Sequence, residues 1–73
     1  MDIYFSRHAK RQMKWRDIGE DDVREAVSAP EAIEDSIKNR KNALKHIGQK
    51  WLKVTFTQEI GRIVIVTVID KNR

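Results

Sequence analysis

The sequence has no cysteine, one proline and three glycines among its 73 residues. Without cysteine there is neither a disulfide framework nor a thiolate zinc site, and the chain suits a reducing compartment. With so little proline and glycine no linker divides it, and a single domain over residues 1–73 is expected. Long hydrophobic runs are missing too. The opening MDIYFSRHAKR reaches charge and histidine before any apolar stretch long enough for a signal sequence. The longest apolar run, Ile63 to Val66 and on past Thr67 to Ile69, falls far below membrane-span length. A cytosolic location with no membrane partner is therefore the expectation. No Gly-rich phosphate loop, HExxH or Cys/His ligand spacing occurs, and Ser6, Ser28 and Ser36 lack a recognisable nucleophile setting. Any chemistry is expected to need neither metal nor small-molecule cofactor and to rest on His, Arg, Lys and Thr.

A chain this short buries only about 60% of the surface its unfolded form exposes, so there is room for one core. Charge, by contrast, is plentiful and segregated around a net value of +4. Arg7, Lys10, Arg11, Lys14 and Arg16 follow one another without an acid, as do Lys38, Arg40, Lys41, Lys45, Lys50 and Lys53. Between these zones, the segment from Asp17 to Asp35 holds eight of the eleven acids. Such segregation attracts phosphates on one side and leaves another for a different partner; the plainer explanation is a solvated Lys/Glu-rich surface.

Periodicity divides the chain in two. After a short extended start at Ile3 to Phe5, Ser6 is a natural N-cap for a helix to Trp15 or Arg16. At about 100° per residue, Phe5, Ala9 and Met13 form its apolar stripe, bordered by His8, Gln12 and Trp15. A second helix starts after Gly19, with Glu20, Asp21 and Asp22 in a first turn that favours negative charge, and with Ile18 and Val23 as a hydrophobic staple. Pro30 ends it at Ala29. From Ala32 the period becomes two, and strands are predicted over Ala32–Ile37, Asn42–Ile47, Lys50–Gln58 and Arg62–Ile69, with turns at Asn39-Arg40, Gly48-Gln49 and Glu59 to Gly61. Short connections make neighbours antiparallel. The fourth strand, RIVIVTVID, is apolar on both faces, which suits a central or covered position. The expected fold is α+β: two N-terminal helices, then a four-stranded antiparallel meander.

Imidazole suits proton transfer near neutrality, so the histidines are the first candidates. His8 lies in the first helical turn about 60° from Arg11, either as an accessible base or as a ring packed against the sheet. His46, at a strand end, reads as an exposed hairpin residue. Arg40 and Lys41 fall in the first hairpin turn. Lys45 and Lys53 alternate out of strands and are expected to share a face with Trp51 and Thr55. An indole amid cations is either a base-stacking surface or a sheet capped by snorkelling lysines. Trp15, on the helix border, is expected in the core.

The string SRHAKRQMKWRDI, the proline after the second helix, the basic NRKNALKHIGQKWLKVTF and the final IVIVTVID together resemble a widespread prokaryotic family of small domains of unknown function. Its pattern runs His-Ala, an arginine-methionine pair, Arg-Gly-Ile, an acidic helix, a basic hairpin and a last strand of the Val-x-Thr-Val type. The similarity covers almost the whole chain, and the family has been linked remotely to the RelE-like toxins of the barnase, EndoU, colicin and RelE group, which are metal-independent ribonucleases. What the resemblance implies is a RelE-like sheet and a ribonuclease-type toxin that acts on RNA and is neutralised by an acidic antitoxin. It places the catalytic set on His8, Arg16, Arg40 and Thr67, while Arg11, Lys41, Lys45, Trp51 and Lys53 are the candidate RNA contacts. In such a mechanism a ribose 2′-OH attacks its own phosphate, His8 serves as base or acid, and the arginines neutralise the phosphorane. Two positions depart from the pattern: Gln12 stands where it has arginine, and Asp17 where it has glycine. A non-catalytic nucleic-acid-binding module, or a domain whose basic groove takes an acidic partner helix, are the alternatives.

Overall fold

The computed structural model describes residues 2–72. In chain order it contains β1 (Asp2–Phe5), α1 (Arg7–Arg16), α2 (Glu20–Ser28), β2 (Ala32–Asp35), a 3-10 turn (Ile37–Asn39), β3 (Lys41–Ile47), β4 (Lys50–Glu59) and β5 (Arg62–Asp70).

α1 begins where Ser6 Oγ accepts the Ala9 N–H at 3.0 Å, the N-cap bond its sequence predicts. It ends at Asp17, which adopts the left-handed conformation at φ 55°. There the Ile18 N–H reaches Met13 O at 2.9 Å and the Asp17 N–H reaches Lys14 O at 3.4 Å, the paired bonds of a Schellman cap. This is the position at which the family pattern has glycine, and the geometry supplies the reason: only glycine enters the left-handed region without a Cβ penalty. Ile18 closes α1 and, one residue before the Gly19 cap, also opens α2; its side chain is buried, as is that of its staple partner Val23.

The sheet has five strands in the order β1-β5-β4-β3-β2. β2 to β5 form the expected antiparallel meander, but the expectation of a four-stranded sheet, antiparallel throughout, is corrected by β1. The short start of the chain is a fifth strand, parallel to β5, with Ile3 beside Ile63 and Phe5 beside Ile65. β5 is thereby an interior strand, between β1 and β4, rather than an edge.

Beyond Phe5 the chain leaves the sheet and α1 takes over as the neighbour of β5. The Ser6 N–H bonds Ile65 O at 3.1 Å, Ser6 Oγ donates to Val66 O at 3.3 Å, and Gln12 Oε1 accepts the Val68 N–H at 2.8 Å. Val66 is an extra residue, since Phe56 pairs with Ile65 and Thr55 with Thr67; such a bulge bends the strand where its partner changes.

Both helices pack on one face of the sheet. Phe5, Ala9, Met13, Ile18, Val23, Ala26, Ala43, Leu52, Val54, Phe56, Ile65 and Val68 make one continuous core between the layers. No helix is long and apolar enough to cross a membrane among the described residues. The first hairpin also differs in detail from the expectation. β2 stops at Asp35, and Lys38 and Asn39 both have positive φ, with the Arg40 N–H bonded to Ile37 O at 3.1 Å. That is the geometry of a type I′ turn, one residue earlier than Asn39-Arg40. Trp15, expected in the core, is 72% exposed.

Candidate nucleic-acid interface

The opposite face of the sheet carries no helix. Strand alternation and register set out its side chains in rows across β5, β4 and β3: Thr67, Thr55 and Asn42; then Ile69, Lys53 and Leu44; then Trp51 and His46. Thr55 Oγ1 donates to Asn42 Oδ1 at 2.7 Å, which satisfies an asparagine that its neighbours bury. Lys53 stands between Trp51 and Thr55 on this face, as expected.

Lys45 does not. Equal steps back from the Gly48–Gln49 turn put His46 opposite Trp51 and Lys45 opposite Leu52, so Lys45 points to the helix side. There its Nζ lies 3.9 Å from Glu25 of α2. The expectation that Lys45 shares the Trp51 face is therefore corrected, and His46 takes that place. Its imidazole stacks on the Trp51 indole with ring centroids 4.0 Å apart and planes inclined by 25°. Glu31 holds the histidine from the start of β2: its Oε2 accepts the His46 N–H at 2.8 Å, and its Oε1 lies 3.1 Å from Nδ1. The backbone hydrogen bond from His46, reinforced by the imidazole contact, lowers the Glu31 carboxyl below its usual range. Two planar groups are thus stacked on an uncovered surface beside a lysine.

Lys41 also points to the helix side, opposite Phe56, and is engaged by Asp35 at 2.8 Å. The Lys41 ammonium bond lowers the Asp35 carboxyl. Arg40 precedes it in extended conformation, φ −91° and ψ 163°, so alternation puts it on the side of Asn42. With Asp35, Ser36, Asn39 and Lys41 it lines an open hollow at the first hairpin.

The catalytic set expected from the resemblance is only partly brought together. His8 is exposed on α1 rather than packed against the sheet. The flank of α1 that carries Gln12 meets β5 at Val68, past the end of β1, and His8 lies about 40° round the helix from Gln12. Arg16 is the last residue of α1, eight residues and about 12 Å along the axis from His8. Arg40 adjoins β3, which is two strands from β5, a lateral step of about 10 Å. His8 and Thr67 belong to the two elements that meet there; Arg16 and Arg40 lie at separate places. No group of three or more metal-ligand side chains occurs among the described residues.

His46 is the exposed hairpin residue that the sequence predicts; its stacking on Trp51 is what that expectation lacks, although a two-residue turn at Gly48–Gln49 sets that register. The exposure of Trp15 was not legible, because helical angle placed it on a border that tertiary packing then left open. No curated protein and no solved structure matches the chain. A family model described as a domain of unknown function, DUF4258, matches residues 5–70, and the chain belongs to that family.

Proposed function

We propose that this domain binds single-stranded RNA on the open face of its sheet. The observation that carries the reading is the Trp51–His46 stack, held by Glu31 and flanked by Lys53, on the one sheet face without helices. A flat aromatic pair takes the face of any base, and a neighbouring ammonium takes phosphate, so recognition tolerates sequence and requires unpaired bases. The threonine row beside it supplies hydroxyls for ribose or phosphate oxygens.

Ribonuclease activity is the second reading. What favours it is an exposed His8 on the helix that meets β5 next to Thr67; what it lacks is an arginine beside them, since Arg16 and Arg40 stand about 10 Å or more away. In the toxin reading, an acidic antitoxin segment would cover the same cations that hold RNA. The test is tryptophan emission during titration with a mixed-sequence single-stranded RNA at low salt, in EDTA, with the RNA recovered and sized afterwards. Saturable quenching with intact RNA supports binding alone, and shortened RNA adds cleavage. Unchanged emission with intact RNA overturns both readings.

A further inference from the structure

We infer that Trp15 is a second base-stacking residue, so that one RNA strand runs from the sheet face past the C-terminal end of β5 onto α1. This rests on the sheet-face reading and extends it. Trp15 is 72% exposed, and its position is set by the hydrogen-bonded seam between α1 and β5. Ser6 is bonded beside Ile65 and Val66, and Gln12 beside Val68, so the helix follows β5 in the same direction. The next turn brings Trp15 level with the C-terminal end of β5. Trp51 adjoins that same end from the other side: its carbonyl accepts the Lys71 N–H at 2.7 Å, and its own N–H reaches Asp70 Oδ1 at 3.1 Å.

Helical rotation gives the direction. Met13 is buried in the core, Gln12 accepts the Val68 N–H of β5, and Trp15 lies about 60° from Gln12 on the side away from Met13. His8, Arg11 and Trp15 recur at i, i+3 and i+7 and form one stripe there. An exposed indole behind an arginine has the composition of the Trp51–Lys53 pair. One inter-strand step plus a helix width separates the two indoles by roughly 15 Å, or about four nucleotide steps at a stacked rise of about 3.4 Å. A dinucleotide therefore occupies one indole, and a hexamer reaches both.

The experiment uses Trp15→Phe and Trp51→Phe, each leaving one indole as reporter and a ring at the other position, together with Trp15→Ala. Oligonucleotides of two and six residues and a hexamer-length RNA duplex are titrated into each. The expected result is that the hexamer quenches both reporters. Trp15→Ala then weakens the hexamer about ten-fold, the size of one lost stacking contact, and leaves the dinucleotide unaffected. Quenching of Trp51 with a silent Trp15 and wild-type hexamer affinity in Trp15→Ala would overturn this inference and leave the sheet-face reading standing. Equal quenching of Trp15 by duplex would also overturn it, because paired bases are not free to stack. If neither reporter responds, the sheet-face reading itself fails and takes this one with it.

Discussion

Lys45 and Lys53 lie opposite neighbouring residues of the same pair of strands, yet they serve different faces. Leu44, the residue before Lys45, is the partner of Lys53, and one step of alternation separates open face from helix face. Lys53 has no ion-pair partner among the described residues, whereas Lys45 lies near Glu25 under α2. Lys53→Ala should therefore weaken RNA binding and reduce the dependence of log affinity on log salt by about 0.7, the contribution of one phosphate contact on a single strand. Lys45→Ala should leave that slope unchanged. Parallel titrations at several salt concentrations check both, and equal effects from the two lysines would remove the assignment of faces. The sequence already held this distinction: the two-residue turn at Gly48–Gln49 counts Lys45 to Leu52 and His46 to Trp51. What it did not hold was Glu31, fifteen residues from His46, whose carboxylate meets the hairpin only when β2 pairs with β3.

At the scale of elements, the helices were legible because their ends are local. Ser6 caps α1, Gly19 and three acids open α2, and Pro30 closes it, all within a few residues of the bonds they make. β1 was not, because its pairing partner lies about sixty residues away and a run as short as Ile3–Phe5 names no partner. One sign of it was present: a meander of four strands leaves its last strand at an edge, and RIVIVTVID is too apolar on both faces for an edge. The two departures from the family pattern divide at this scale. Gln12 has a structural duty, since its Oε1 satisfies the Val68 N–H that β1 is too short to reach. Asp17 has a cost, since an L-residue is held at φ 55° with a fully formed Schellman cap around it. Asp17→Gly should consequently stabilise the fold by about 1 kcal/mol, the usual penalty for a Cβ in the left-handed region. This figure is net of the backbone entropy that glycine brings to the unfolded chain. Urea denaturation would show it as a raised midpoint at constant slope; a lowered midpoint would mean that the Asp17 carboxylate contributes something beyond its backbone.

For the whole molecule, the fold arranges charge so that acids gather on α2 and β2 while the open face and the exposed flank of α1 keep their cations. Glu20, Asp21, Asp22 and Glu25 are on α2, and Glu34 and Asp35 are on the edge strand β2. That edge is thereby protected from pairing with another chain. A longer single strand that takes the path proposed above and continues along the open face to the start of β3 meets Lys53, Arg40 and Arg11, with Arg16 at the end of α1, and so has three to four phosphate contacts. At about 0.7 of a released cation per contact on a single strand, log affinity should fall with log salt at a slope between about −2 and −3. Raising salt from 50 to 200 mM should therefore weaken binding about 20- to 50-fold. The net charge of +4 alone does not give this result, because the acids of α2 sit with the helices on the other side of the sheet. Glu34 of β2, by contrast, registers with Asn42 on the open face and Asp35 lines the hollow that holds Arg40, within a Debye length of about 10 Å, which holds the slope toward the shallow end of this range. A slope near zero with retained affinity would mean that stacking carries the binding and that the cations are only a solvated surface. A slope much steeper than −3 would require phosphate contacts that the open face and the α1 flank do not provide, and would move the binding site to another part of the molecule.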